Sequence, residues 1–229
     1  MAFLYVSAVK TQIATLVRQN KGFYWPLLLF LGIGLVVLGL VDKTNSFLFF
    51  NSWHHPLADA VFPTLTHFGD GLMGLALIVL LLFINYRLAI SATACFFSVL
   101  LLTQLGKLVL FADVLRPAGH FRELGIPIRL VDGVEIHYNN SFPSGHSAGA
   151  FALYSFIALA LPNKSLGFPL FVVALLAAFS RIYLAQHFFN DVVVGSAIGA
   201  CCTLLIYSFM EYRYFSQSRT WHRRGLLRR

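Results

Sequence analysis

Long apolar segments recur along this chain and constrain its fold more than any other feature of the sequence. A helix that crosses the hydrocarbon core of a bilayer needs about 20 predominantly apolar residues. Four segments approach or reach that length, and they are residues 23–41, 88–110, 166–184 and 192–210. Two further apolar segments, 71–84 and 147–161, are shorter. We predict that the first begins earlier, between Pro56 and Pro63, and the second at the turn Pro143-Ser144-Gly145.

These segments predict an all-α protein, a six-helix transmembrane bundle. The composition agrees, because 58% of the 229 residues are hydrophobic and 11% are charged, whereas a soluble domain carries about 25% charged residues. Helices also satisfy their own backbone hydrogen bonds in lipid. We predict one domain at 23–212, preceded by an interfacial segment at 1–22 and followed by a basic cytoplasmic tail at 213–229.

The distribution of Lys and Arg predicts the orientation of the bundle. With six spans and a cytoplasmic N-terminus, eleven of these residues fall on the cytoplasmic side and six on the other side. Cytoplasmic loops carry the excess of positive charge, so both termini are predicted to be cytoplasmic. We expect the protein in the cytoplasmic (inner) membrane of a bacterium.

The net charge of +8 does not require a nucleic-acid partner. The basic tail is better explained as an anchor at anionic lipid headgroups. The three cysteines, Cys95, Cys201 and Cys202, lie inside apolar segments without the spacing of a zinc site. We therefore expect the bilayer and a membrane lipid as partners, and neither a metal nor another cofactor. The oligomeric state stays open.

Ionisable residues are costly at membrane depth and mark functional sites. Here they gather in two segments, 107–146 and 181–191. Under the predicted topology both segments emerge on the same, non-cytoplasmic face. The sequence therefore predicts an active site at the outer membrane face, turned towards the periplasm or exterior.

Two short motifs suit phosphate chemistry. Pro143-Ser144-Gly145-His146 precedes an apolar helix, and the N–H groups at a helix start attract phosphate. The simpler alternative is that Ser144 only caps that helix. His187 and Asp191 are four residues apart, so on a helical backbone they share a face and the carboxylate can orient the imidazole. Alternatively, Asp191 caps the last helix and His187 is interfacial.

Three cations, Lys107, Arg116 and Arg181, accompany these motifs. Their charges match a phosphate dianion and its more highly charged transition state. Each alone is also explained by a long side chain that reaches the membrane surface. Three cations beside two histidines favour a phosphate site.

Together these segments resemble the signature of the phosphatidic acid phosphatase type 2 superfamily of membrane phosphatases. Its parts are a Lys followed by Arg-Pro, then Pro-Ser-Gly-His, then Ser-Arg-x5-His-x3-Asp, and the last two parts match without departure. The resemblance implies that His187 attacks phosphorus, Asp191 orients it and His146 protonates the leaving oxygen. It also implies a phosphohistidine intermediate, no metal, and phosphate binding by the residues Lys107, Arg116, Ser144, Gly145 and Arg181.

The first part of the signature departs from the family. Eight residues separate Lys107 from Arg116, where six are usual. At about 100° per residue, nine steps lead to the opposite face of a helix. We therefore predict that the third helix ends between Leu110 and Asp113, and that a loop or bulge carries Arg116 back.

The resemblance implies a lipid phosphatase, and undecaprenyl diphosphate or another envelope lipid is the expected substrate. Phosphatidylglycerol phosphate, phosphatidic acid and a lipid A phosphate are alternatives. A non-catalytic lipid transporter on the same scaffold is an alternative of another class. Residues Thr66, His67, Gly69 and Asp70 either line the site or form a turn, and the 118–142 loop is long enough to cover a headgroup.

Overall fold

The computed structural model describes residues 2–216, 221 and 224–227, with side chains from residue 9 onward. Arg219, Arg223, Arg228 and Arg229 of the predicted basic tail lie outside the described residues. The described chain forms ten α-helices, which are α1 Ala2–Gln19, α2 Lys21–Leu40, α3 Lys43–Asn51, α4 Pro56–Leu65, α5 Gly71–Ile84, α6 Tyr86–Leu105, α7 Pro117–Leu124, α8 Gly145–Ala160, α9 Gly167–Tyr183 and α10 Phe189–Arg213.

Four helical segments of the described chain are long and apolar enough to cross a membrane, and they are Lys21–Leu40, Tyr86–Leu110, Lys164–Tyr183 and Phe189–Arg213. The pair Pro56–Gly69 and Gly71–Ile84 passes the same test together, with a 47° bend between its halves. The earlier start predicted for this segment is therefore present, but as a bent pair. Helix α8 is apolar and has only 16 residues. The all-α class is confirmed, whereas the count of six spans stays a prediction.

Helix α8 lies at the centre of the bundle, in contact with α5, α6, α9 and α10. Its approach to α10 is close because two glycines of α10 face its backbone. A Cβ placed on Gly195 would lie 2.5 Å from the carbonyl oxygen of Ser144, and one on Gly199 would lie 2.1 Å from that of Ala148. Glycines four residues apart allow such close packing of membrane helices. This contact places the start of α8 beside the start of α10.

The apolar segment at 88–110 ends as a π helix. Helix α6 continues from Leu105 into the π segment Gly106–Leu110, and Phe111 donates its N–H to the carbonyl of Gly106 at 2.9 Å. The helical structure thus ends at Leu110, within the predicted interval. The following loop leads to Arg116, which precedes the first residue of α7. Lys107 and Arg116 therefore belong to different elements.

At the end of the bundle where α5 meets α6, an ion pair and backbone hydrogen bonds from the tail hold the helices together. Arg87 of α6 pairs with Glu211 of α10. Leu226 and Leu227 donate backbone N–H groups to the carbonyls of Leu82 and Phe83, at 3.0 and 3.1 Å. The described part of the tail therefore packs against the C-terminal end of α5.

Candidate active site

Helices α5, α6 and α8, the end of α9 and the link before α10 line a cavity of about 340 Å³. Six of its lining residues belong to the predicted phosphate chemistry, and they are Lys107, Arg116, Gly145, His146, Arg181 and His187. The remaining lining is mostly apolar and comes largely from α5, α6 and α8, with Ile78, Phe96 and Leu153 among its members. The cavity thus joins a cationic end to an apolar channel between helices.

His187 lies in the short link between α9 and α10. It is 1% exposed, and its backbone N–H donates to the carbonyl of Arg181 at 3.0 Å. Ala185 turns this link with a left-handed φ of 54°. The backbone between Leu184 and Phe188 is not helical, so the condition under which His187 and Asp191 would share a helical face is not met.

The two residues nevertheless meet, because Asp191 folds back over the start of α10. Its Oδ2 lies 3.4 Å from Nδ1 of His187 and accepts the backbone N–H of Phe188 at 3.0 Å. Asp191 therefore both caps the helix and faces the imidazole. With Nδ1 protonated towards Asp191, the lone pair of Nε2 on His187 is left for the cavity.

The surroundings of His187 keep its imidazole neutral. Burial lowers the pKa of His187 well below its usual value, and the positive charges of Arg116, Arg181 and Lys107 lower it further. A neutral imidazole retains the lone pair that a nucleophile needs. The contact with Asp191 is therefore a hydrogen bond from a neutral ring, and becomes an ion pair only when the ring gains charge.

Arg181 sits at the end of α9 and is 8% exposed. Its Nη1 donates to Oγ1 of Thr66 at 2.7 Å, which holds the guanidinium in place. Its Nε is buried without a hydrogen-bond partner among the described residues. A buried donor of this kind is costly unless it binds something, and an anion in the cavity would satisfy it.

Arg116 is held by the backbone that follows α7 and by the link before α10. Its Nε donates to the carbonyl of Asn139 at 2.9 Å, and its Nη1 donates to Oε1 of Gln186 at 3.1 Å. Gln186 is 1% exposed and its amide donates in turn to the carbonyl of Glu135 at 2.9 Å. Arg116 thus reaches the cavity from a different direction than Lys107.

Lys107 reaches the cavity from the π segment. Its Nζ would lie 3.7 Å from a Cβ built on Gly145, so it lies over the first turn of α8. A Cβ at position 145 would be in ordinary van der Waals contact with this ammonium group. The unusual spacing of Lys107 and Arg116 is therefore accommodated by the π segment and the loop at 111–115.

Ser144 takes a different place from the one predicted. Its backbone N–H donates to the carbonyl of Asp191 at 3.1 Å, and its Oγ accepts from the hydroxyl of Ser147 at 2.8 Å. It does not line the cavity, whereas Gly145 and His146 do. Ser144 therefore joins α8 to α10 and caps α8, and its own N–H is not free for phosphate.

Several residues around the site lay outside the motifs. Gly69 and Asp70 line the cavity, whereas His67 is exposed and does not. The 118–142 loop contains all of α7 except its first residue, and its His137 also lines the cavity. Ser141 and Gln186 were not singled out from the sequence. Gln186 occupies a variable position inside the last motif and Ser141 lies two residues before Pro143, and a buried polar side chain cannot be recognised from such positions.

Among the described residues, no group of three or more His, Cys, Asp or Glu side chains is placed to hold a metal ion. The charged residues of the cavity are mainly cations and histidines instead. This residue set attracts an anion, and offers a nucleophile and a proton donor at one end of an apolar channel.

Relatives of known activity share parts of this sequence. The chain is 36% identical over 74 residues to an undecaprenyl-diphosphatase of Bacillus subtilis, a match that covers 32% of this chain and 35% of that protein. It is 26% identical over 176 residues to a lipid A 4'-phosphatase of Porphyromonas gingivalis, which covers 74% of this chain and 73% of that protein. The first match thus spans about a third of its relative.

The fold is also that of a solved protein. The crystal structure of LpxE from Aquifex aeolicus matches with a TM-score of 0.62 and 24% identity, over 73% of this chain and 95% of that one. The family model of the PAP2 superfamily matches residues 88–215. This range is more than half of the chain, and it contains each of the eight residues proposed from the motifs. The chain is therefore a multi-pass membrane protein that belongs to the PAP2 superfamily.

Proposed function

We propose that this protein is a lipid phosphatase that removes a phosphate from an envelope lipid, with undecaprenyl diphosphate as the expected substrate. The observation that carries the proposal is the cavity, where three cations and two histidines meet an apolar channel. A phosphate at the cationic end would leave its lipid tail among the apolar side chains of α5, α6 and α8. A soluble substrate has no lipid tail and would not need the apolar channel.

In the first step, Nε2 of His187 forms a bond to phosphorus while the bond to the leaving oxygen breaks. His146 donates its proton to that oxygen. The imidazole of His187 gains charge as the phosphohistidine forms, and the carboxylate of Asp191 stabilises it. In the second step, water attacks phosphorus, His146 accepts its proton, and the phosphorus–nitrogen bond breaks to release phosphate.

Lys107, Arg116 and Arg181 are assigned to the phosphoryl oxygens. These cations would take the part that a metal takes in other phosphatases, because charge stabilisation dominates phosphoryl transfer. We therefore expect full activity in the presence of EDTA. The buried and unpartnered Nε of Arg181 supports this assignment, as does the approach of Lys107 to Gly145.

The site is proposed to face the periplasm or exterior. Lys107, Arg116 and Arg181 line one cavity, and Arg87 in the first turn of α6 and Arg213 in the last turn of α10 lie at the opposite end of the helices. If the predicted six spans hold, the tail and both termini are cytoplasmic. Cysteine substitutions at the exposed residues His67 and Leu226, probed with a membrane-impermeant thiol reagent in intact cells, test this orientation.

The substrate is tested with purified protein and a panel of four lipids, namely undecaprenyl diphosphate, phosphatidylglycerol phosphate, phosphatidic acid and a lipid A phosphate. We expect phosphate release, with undecaprenyl diphosphate hydrolysed fastest. The identity to an undecaprenyl-diphosphatase supports this order. A faster release of phosphate from any other lipid of the panel refutes undecaprenyl diphosphate as the preferred substrate. It does not contradict the proposed phosphatase mechanism.

The mechanism is tested by a brief pulse with lipid carrying radiolabelled terminal phosphate, followed by denaturation and mapping of the label. Label on His187 is expected, and it should be absent from His187→Ala. His67→Ala is the matched control, since that histidine is exposed and outside the cavity. Unchanged activity in His187→Ala refutes the mechanism. Lipid transport without phosphate release indicates the non-catalytic transporter instead.

A further inference from the structure

Ser141 lies at the centre of contacts between segments that are far apart in sequence. It is fully buried, with 0% of its surface exposed. Its hydroxyl donates to Oδ2 of Asp191 at 2.5 Å. Its backbone N–H donates to the carbonyl of Val114 at 2.9 Å. The backbone hydrogen bond therefore holds residue 141 in place, and its hydroxyl is directed at the carboxylate that faces His187.

One oxygen of Asp191 receives three donors. Oδ2 accepts from Ser141 at 2.5 Å, from the N–H of Phe188 at 3.0 Å, and faces Nδ1 of His187 at 3.4 Å. Oδ1 is buried without a hydrogen-bond partner in the described part of the chain. The contact with His187 is the longest of the three. Ser141 and Phe188 therefore set the orientation of the carboxylate, and His187 meets an oxygen that is already placed.

We infer that Ser141 is a positioning residue of the proposed phosphatase, one that holds Asp191 ionised and directed at His187. The inference rests on the proposed nucleophilic role of His187. A buried carboxylate is unfavourable unless hydrogen bonds satisfy it. Without the hydroxyl of Ser141, one backbone N–H and the distant imidazole would remain. The carboxylate would then stabilise the charged imidazole of the phosphohistidine less well.

The same segment connects the other parts of the site. Ser144 donates its N–H to the carbonyl of Asp191 at 3.1 Å, and Arg116 donates its N–H to the carbonyl of Tyr138 at 2.8 Å. Ser141 lies between these two points. The residues 138–144 thus tie Arg116, the start of α8 and Asp191 together, and Ser141 is the member of this segment that contacts the carboxylate.

The test compares Ser141→Ala, Ser141→Thr and Ser155→Ala in the purified full-length protein. Ser155 is a matched control because it is also fully buried and hydrogen-bonded, to the hydroxyl of Tyr24 at 2.7 Å, in α8. We expect kcat to fall about 10- to 100-fold in Ser141→Ala with KM changed less than about threefold, which is the effect of one hydrogen bond to a buried charge. Ser141→Thr keeps the hydroxyl and should restore most of kcat.

The pH profile separates positioning from structure. The charged and titratable groups that act electrostatically on His187 or Asp191 include Lys43, Lys107, Arg116, His146 and Arg181, and none of them is changed in these variants. In Ser141→Ala the acid limb of kcat should move to higher pH, because the carboxylate takes up a proton more readily. In Ser155→Ala, the thermal stability falls while kcat and the pH profile stay at wild-type values.

Two results overturn the inference. One is a wild-type kcat in Ser141→Ala. The other is a loss that tracks the loss of folded protein, with an unchanged pH profile and no rescue by threonine. A wild-type protein that forms no labelled His187 is a different outcome, since it refutes the proposed function itself and with it any such role of Ser141.

Discussion

Gly199 of α10 faces the backbone of α8 so closely that the smallest added side chain must move a helix. A Cβ at this position would lie 2.1 Å from the carbonyl oxygen of Ala148, whereas ordinary contact begins at 3.4 Å. The helices must therefore separate by about 1.3 Å, the difference of these two distances. At Gly195 the same calculation for the carbonyl of Ser144, from 2.5 Å, gives about 0.9 Å.

This separation would reach the candidate site. Gly195 and Gly199 are one helical turn apart, about 6 Å along the axis, and the carbonyl that Gly195 meets belongs to the residue before Gly145. A misplacement of about 1 Å in a catalytic arrangement can cost about 100-fold in rate. We therefore expect Gly199→Ala and Gly195→Ala each to lower kcat by roughly that factor. Overpacking should also lower stability, by about 1–3 kcal/mol.

The assay is phosphate release from the preferred lipid, beside a thermal unfolding curve in the same detergent. Gly32→Ala is the matched control, because a Cβ on Gly32 in α2 meets nothing within 4 Å, and it should leave kcat and the unfolding temperature unchanged. A wild-type kcat in Gly199→Ala with the protein folded would refute the idea that close packing of α8 on α10 places the site.

Three further predictions concern charge. Lys107→Met should lower kcat/KM about 100- to 1,000-fold, which is the effect of losing one donor to a developing charge. An unchanged kcat/KM in this variant would contradict the assignment of Lys107 to the phosphate. Because burial lowers the pKa of His187 well below its usual value, this imidazole binds a proton below pH about 6.5 in the unfolded chain while it stays neutral in the folded one. The unfolding temperature should therefore fall as the pH decreases through that range, and fall less steeply in His187→Gln; equal slopes contradict the assignment. Asp70 is the only acidic side chain among the described residues of the cavity lining, and it caps α5 by accepting the N–H of Leu72. Asp70→Asn keeps a cap and removes a charge that repels phosphate, so inhibition by inorganic phosphate should strengthen about 3- to 10-fold. Asp42→Asn is its control, as another capping aspartate that lies outside the cavity, and an effect of equal size there contradicts the role of Asp70.

Some features could be predicted because they are local. The apolar segments identify helices α2, α6, α9 and α10 within a few residues, since the length and composition of a span depend on its own residues. The spacing of Lys107 and Arg116 predicts an interruption, since a helix has a constant angle per residue. The helical segment ends at Leu110 as expected, although nothing in the sequence indicated a π segment.

Other features could not be predicted because they depend on contacts between distant segments. The face shared by His187 and Asp191 was inferred from a helix, but the backbone there turns at Ala185 and the carboxylate folds back. Ser144 was assigned to phosphate, yet its N–H is used by the carbonyl of Asp191. Each of these outcomes depends on how the start of α8 meets the start of α10.

The sequence by itself therefore determined that the chain lies in a lipid bilayer, that it is built of helices, and that it carries the types of side chain that suit a phosphate. These follow from hydrophobicity and from motifs short enough to read along the chain. Only the tertiary structure decided which atoms meet. Ser141 contacts Asp191, Thr66 contacts Arg181 and Gln186 contacts Arg116 because the packing of the helices brings segments that are far apart in sequence within hydrogen-bonding distance.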